Sequence, residues 1–393
     1  MKKVLLFSLF LVLGLFFSQL LPLWLGEVFL NIEKSAKVLM FICLAFIMIN
    51  VGREFELDKT RWKSYAADYF IAMATAAVPW IFVAFYYMFL LPADLFGSWD
   101  AWKENLLLSR FAAPTSAGIL FTMLAAAGLQ KEWIYKKTQV LAIFDDLDTI
   151  LLMIPLQIFM IGFKWQLLII LVVITLLLIL GWKKLSSVKM SQTWKAILFY
   201  AVCLVGATES IYLLTKSWMG ADGAIHIEVL LPAFVLGMIM KTVHHHEPQE
   251  ERITGLISYV FMFLVGFSTP QFIGVDHAHR VVEATGVIAA QPMPSWGVLA
   301  FHVLVVTLLS NLGKMFPLFF YRDRKLEERM ALSVGMFTRG EVGAGIIVIA
   351  LGYNLGGPAL IISVLSLVLN LLLTGGFVVI VKRLAQRAYG LKE

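Results

Sequence analysis

The chain has 393 residues, 60% of them hydrophobic and 15% charged, with a mean hydropathy of +0.84 and a net charge of +6. Soluble domains carry about a quarter charged residues, and one soluble core rarely grows past about 250–300 residues, so the composition belongs in a membrane. It excludes nucleic acid as the partner behind the positive charge. It also excludes a disulfide-built secreted fold, because the two cysteines, Cys43 and Cys203, both lie inside apolar runs.

A spanning helix needs about 20 apolar residues. That ruler predicts an all-α polytopic membrane protein with about twelve spans and room for a thirteenth. They lie at roughly 4–25, 36–52, 65–91, 105–127, 138–163, 165–182, 194–215, 226–242, 253–273, 296–321, 330–353 and 357–381. Met1-Lys2-Lys3 resembles the start of a signal peptide, but no small-x-small cleavage site follows, so this run reads as the first span. The chain then divides into 1–64 with spans one and two, 65–163 with three to five and 164–216 with six and seven. After these come 217–273 with eight and nine, an external loop at 274–295, and 296–393 with ten to twelve and a short tail.

Lysine and arginine mark one face. Clusters at Lys2-Lys3, Arg53 to Lys63, Lys131 to Lys137, Lys183 to Lys195, Lys241 to Arg252, Arg322 to Arg329 and Lys382 to Lys392 hold 23 of the 32 basic residues. Six fall at the alternate connections, and Arg110, Lys314 and Arg339 lie within or near spans. This split predicts an even number of spans, both termini cytoplasmic, and a bacterial-type inner or plasma membrane.

Ionisable groups inside hydrocarbon cost at least about 2.5–3.5 kcal/mol each and mark function. In Ala142-Ile143-Phe144-Asp145-Asp146-Leu147-Asp148, three carboxylates fall within one turn of an apolar span. At about 100° per residue, Asp145 and Asp148 share a face and Asp146 points elsewhere. The functional reading is a cation or proton site; the alternative is a helix end in a watery vestibule. Lys314, in Ser310-Asn311-Leu312-Gly313-Lys314, either snorkels to the interface or is a buried partner for one carboxylate.

Spans four and eleven carry helix-breaking chemistry at mid-depth: Ala113-Pro114-Thr115-Ser116-Ala117-Gly118 and Thr338-Arg339-Gly340-Glu341-Val342-Gly343. Interrupted helices at matching places in two halves point to inverted repeats and a transport site. Spans three to five would mirror ten to twelve. Arg339 and Glu341 would neutralise the half-helix dipole ends; the alternative is a glycine-rich packing face.

These motifs resemble the monovalent cation/proton antiporter superfamily, in its paired-aspartate sodium/proton antiporter branch. Val51-Gly52-Arg53-Glu54-Phe55-Glu56-Leu57 and Phe261-Met262-Phe263-Leu264-Val265-Gly266 add to the ordered set. The resemblance implies two crossing discontinuous helices and a core of spans three to five and ten to twelve. It implies a panel of spans one, two, eight and nine that forms a homodimer. Asp146 would alternate between Na⁺ (or Li⁺ or K⁺) and H⁺, and Asp145 would pair with Lys314. Thr115 and Ser116 would complete the oxygen cage, and Gly340 and Gly343 would belong to the second break. Pro114 precedes Thr115 where the family usually has the reverse, so the ligand there falls within two or three positions of Thr115 and Ser116. Asp148 is an extra acid, an accessory group that adds a proton site, pairs with Lys314 instead, or lines the cytoplasmic funnel.

The implied function is antiport by alternating access, with cation and proton competing for buried aspartates, in the service of pH homeostasis. The chain reads as a transporter and not an enzyme, with no cofactor and no partner besides the transported ions, the bilayer and its own second copy. A sodium-coupled symporter of small organic solutes and a passive cation channel are the alternatives. Glu209 in span seven is a second accessory acid or a vestibule residue. His244, His245 and His246 form a solvated loop or a pH sensor. Asp68 reads as a span-end residue and His302 as a hydrogen-bonded packing residue.

Overall fold

In hydrocarbon, backbone N–H and C=O groups must be satisfied internally, which a helix does within one segment. The computed structural model describes residues 2–54, 62–161, 165–184, 187–219, 227, 229–240, 248–268, 287–288, 291–353 and 355–390. Among them are fourteen α-helices, three short 3-10 turns and no β-strand. They are α1 (Lys2–Leu25), α2 (Glu27–Glu54), α3 (Trp62–Phe89), α4 (Trp99–Ser109), α5 (Ala117–Ala126), α6 (Trp133–Ile161) and α7 (Trp165–Lys183). The rest are α8 (Trp194–Met219), α9 (Leu230–Ile239), α10 (Pro248–Phe267), α11 (Trp296–Gly313), α12 (Leu326–Gly335), α13 (Glu341–Gly352) and α14 (Gly357–Tyr389). With the interrupted pairs α4–α5 and α12–α13 each counted once, twelve helical units remain. Six segments are long and apolar enough to cross a membrane by length and composition alone: Asn31–Arg53, Ser64–Phe89, Trp99–Ala126, Trp194–Trp218, Trp296–Phe319 and Gly357–Tyr389.

Some helix ends differ from the hydropathy ruler. α2 begins at Glu27 rather than near residue 36, because Lys37 pairs with Glu33 one turn earlier at 2.6 Å and carries the helix through charged sequence. α4 starts at Trp99, capped by the Ser98 hydroxyl, where polar residues hid the first turns. α11 ends at Gly313, not near residue 321. Pro317 cannot continue the ladder, and residues Phe316–Phe319 form a 3-10 turn.

The helices pack in two groups. α1 lies along α10, α2 along α9, α8 leans on α2 and α7 on α9. In the other group α3 packs on α4, α6 and α11, and α14 packs on α11 and α12; α1 also touches α14. The first group meets through reciprocal glycines. A Cβ on Gly14 would run into the Phe263 carbonyl and one on Gly266 into that of Leu11. Gly52 and Gly237 do the same to Phe234 and Ile49 across α2 and α9. Small residues let backbones approach where lipid offers no hydrophobic driving force between helices.

Three basic clusters converge at one end of the second group. Lys137 Nζ lies 2.8 Å from Asp68 Oδ2, and the Tyr321 hydroxyl donates to Asp68 Oδ1 at 2.7 Å. The Arg324 guanidinium lies 5.1 Å over the Trp133 ring, and Lys325 donates to the Ala388 carbonyl at 2.7 Å. Asp68 is thus buried in a tie between α3, α6 and the segment after α11. At the outer surface of α3, Tyr86 and His302 Nδ1 are 2.7 Å apart.

The glycine contacts carry a prediction. Gly266→Leu or Gly52→Leu should destabilise the protein by about 1–3 kcal/mol or more through overpacking. Gly206→Ala on α8, where a Cβ meets nothing within 4 Å, should not destabilise and should gain up to about 1 kcal/mol of helix propensity. Thermal unfolding of the purified protein in detergent checks both; equal midpoints would remove the glycine contacts from the stabilising set.

Candidate functional site

The first interruption follows from local chemistry. α4 stops at Ser109, and Arg110–Ala112 tighten into a 3-10 turn. Pro114 lacks an N–H and so cannot continue the hydrogen-bond ladder, although Ala113 before it keeps right-handed helical dihedrals. Ser116 is extended, and its hydroxyl accepts from the Ile119 N–H to start α5. In the second interruption α12 ends at Gly335 and α13 begins at Glu341.

The two breaks cross. The Ser116 N–H donates to the Thr338 carbonyl at 3.0 Å, and the Thr115 hydroxyl donates to the Met336 carbonyl at 3.1 Å. A Cβ on Gly340 would sit 2.8 Å from Ser116 Oγ, and one on Gly343 would sit 3.2 Å from the Phe111 carbonyl. Glycine at these positions allows the crossing to be this close.

α6 passes beside the crossing. Asp145 Oδ2 accepts from Lys314 Nζ at 2.8 Å and from the Thr115 N–H at 2.7 Å. Lys314 also donates to Thr115 Oγ1 at 3.0 Å. Asp145 and Lys314 are both 0% exposed. Lys314 is the C-cap of α11, so it turns inward from a helix end rather than reaching an interface. Thr115 therefore serves the ion pair with both its N–H and its hydroxyl. Buried charges are tolerable only together, and both hydrogen bonds to Asp145 converge on its Oδ2, while Oδ1 has no hydrogen-bond partner among the described residues.

Asp146, one position on, is buried on a different face of α6. Asp148 returns toward the first face. Its Oδ1 accepts from the Tyr69 hydroxyl of α3 at 2.7 Å. Its backbone carbonyl accepts from Arg110 Nη2 at 3.1 Å. The Arg110 guanidinium is fully buried, 4.5 Å over the Trp80 ring. Arg339, also fully buried, donates to the Met336 carbonyl at 3.1 Å and to the Ser310 carbonyl at 3.4 Å. It thereby reaches one carbonyl at the C-terminal end of α12 and one in the last turn of α11, where the helix dipoles are negative.

The structure brings Asp145, Asp146, Asp148, Lys314, Thr115, Ser116, Arg339, Gly340 and Gly343 to one region. Glu341 opens α13, and its side chain lies outside the described residues, as do His244, His245 and His246. Glu209 is half-buried on α8, which packs chiefly on α2. Two further residues stand at the site, Arg110, which the sequence placed only within or near a span, and Tyr69. Arg110 carried a usable signal, a lone cation between Leu106-Leu107-Leu108 and Phe111-Ala112-Ala113. Tyr69 carried none, since an aromatic near a span end reads as an interface anchor.

The family model for the transmembrane region of the sodium/hydrogen exchanger matches residues 3–384. Among solved structures, the chain is similar to the sodium proton antiporter MjNhaP1 from Methanocaldococcus jannaschii at pH 8. The TM-score is 0.58 at 14% identity, over 98% of this chain and 92% of that one, a likeness of fold. No curated protein matches the chain. With the family match running nearly end to end, the chain belongs to the sodium/hydrogen exchanger family and is a polytopic membrane transporter that carries out cation/proton antiport.

Proposed function

We propose that the chain exchanges a monovalent cation, Na⁺ in the first place, for protons by alternating access, with cation and proton competing for Asp146. The observation that carries this reading is the Lys314–Asp145 pair, closed at 2.8 Å and sealed from solvent at the crossing of two interrupted helices. The pair occupies Asp145, and Asp146, buried on another face of α6, is the carboxylate this reading assigns to the cargo. Thr115, Ser116 and the carbonyls of the crossing supply further oxygens of the kind that hard cations take.

The coupling follows from solvation. A carboxylate out of water holds a proton until a cation replaces it. The loaded forms, protonated or cation-bound, carry no bare charge on that carboxylate and can pass the low-dielectric barrier. The empty form would have to move its charge through it, so exchange becomes obligatory. Opening of the Asp145–Lys314 pair would add a second proton per cycle. In the same reading α3–α6 and α11–α14 form the moving core, and α1, α2, α9 and α10 form a panel that pairs in a homodimer. Both termini face the cytoplasm of a cell that uses the exchange for pH homeostasis.

Two expectations test this. Asp146→Asn in sealed proteoliposomes should abolish proton release driven by Na⁺, Li⁺ or K⁺; near-normal exchange would remove Asp146 from its role. Lys314→Met should cost about 3–5 kcal/mol by leaving a buried carboxylate uncompensated. Adding Asp145→Asn should recover most of that loss in thermal unfolding, and no recovery would mean the two groups are not coupled.

A further inference from the structure

The two groups of helices meet next to the crossing, and there they meet on a glycine. Between the groups α1 touches α14, and both α1 and α2 touch α5. α5 starts at the crossing, where Ser116 caps it, and runs toward the cluster Lys131 to Lys137 that marks the cytoplasmic face. Gly118 stands in its first turn. A Cβ there would sit 2.9 Å from Cε1 and Cζ of Phe261 on α10 and 3.1 Å from Cδ1 of Leu44 on α2. Phe261 is 0% exposed and Leu44 3%. An aromatic ring and a leucine of one group thus rest on bare backbone of the other, two positions from Ser116.

The contact itself is apolar, and the next turns toward the cytoplasm are not. Thr122, one turn on from Gly118 along the same face of α5, is buried, and its hydroxyl has no hydrogen-bond partner among the described residues. α5 packs on α6. On the cytoplasmic half of α6, Gln139 lies two turns from Asp146 on the same face, and its buried amide nitrogen likewise has no partner among the described residues. Buried groups of this kind are satisfied by water.

We propose that Phe261 and Leu44, seated on Gly118, are the inner gate of the exchanger: the contact holds core and panel together on the cytoplasmic side of the crossing, and it parts each time the site opens to that side. The proposal rests on the alternating-access reading given above. The ring stays with the panel, because α10 is fixed to α1 through Gly14 and Gly266. The core offers it only backbone at Gly118, so the two surfaces separate without interlocked side chains. Loosening the contact favours the inward-open state. Each side reads the fraction of the protein open to it, so the apparent KM for the cation falls on the cytoplasmic side and rises on the outer side.

The test is Na⁺-driven proton flux by the full chain in everted and in right-side-out membrane vesicles. Phe261→Leu keeps an apolar side chain and shortens its reach; the ratio of outer to inner KM should rise by about threefold or more. Gly118→Ala puts a methyl group where the ring rests and should move the ratio the same way, and the two changes together should fall short of the product of their separate effects. A second readout is Thr122→Cys, in a chain with Cys43→Ser and Cys203→Ser, labelled from the cytoplasmic side by a membrane-impermeant maleimide. Phe261→Leu should speed that labelling by about threefold or more. A ratio that stays or falls, or labelling that does not speed up, would overturn the proposal. So would equal changes of KM on both sides, which a loss of packing alone gives. Where the parent exchanges Na⁺ for protons with saturation from both sides, such a result fails the gate alone; a parent that passes Na⁺ without moving protons fails the reading and the gate together.

Discussion

The charge pair between Asp145 and Lys314 organises the rest of the site. Neither charge is tolerable alone in a medium of low dielectric, so each fixes the position of the other. Asp145 comes from a long continuous helix, α6, and Lys314 from the end of α11. A third element has to reach between them, and it is the first interruption, through Thr115. An uninterrupted helix would have tied up the Thr115 N–H in its own ladder. The break is what frees a backbone donor at mid-depth, and irregular backbone is tolerated there because protein surrounds it. The crossing and the ion pair therefore depend on one another.

The two groups of helices are held by different physics. Between α1 and α10, and between α2 and α9, backbones meet at reciprocal glycines with apolar side chains around them. Between α3, α6, α11, α14 and the segment after α11, polar and directional contacts are added to close glycine packing such as Gly313 against Pro79: Asp68 with Lys137 and Tyr321, Asp148 with Tyr69, and Thr307 with Ser366 at 2.9 Å. Directional bonds are concentrated where a specific arrangement of charges has to be kept, and close backbone contact serves where a firm wall suffices.

Much of this was legible because buried charge is costly and therefore rare. Asp145, Asp146, Asp148, Lys314 and Arg339 stood out from apolar runs, and Pro114 and Gly340 marked the two breaks. Other features were not legible, for identifiable reasons. Periodicity puts Asp145 and Asp148 on one face, so it could not say which of them takes Lys314; the folded chain pairs Lys314 with Asp145 and gives Asp148 a hydroxyl partner in Tyr69, 79 residues away in sequence. Glu209 looks like the other intramembrane acids, but sequence does not say that α8 packs mainly on α2. The early start of α2 was hidden because Glu33 and Lys37, which support the helix as a pair, lower its hydropathy.

Three buried acids, Asp145, Asp146 and Asp148, face three buried bases, Lys314, Arg110 and Arg339. Such a balanced cluster is poor evidence for stability, because well-packed apolar residues of similar volume often serve a fold as well or better. What it does supply is a set of alternatives. Each carboxylate can be satisfied by a base, a hydroxyl, a proton or a cation, and a change at one alters what suits its neighbours. An apolar core has no such exchangeable partners. The polar cluster places Asp146 on a different face of α6 from the Asp145–Lys314 pair, with buried acids and bases around it. On the function proposed above, such exchangeable partners are what competition between a proton and a cation requires.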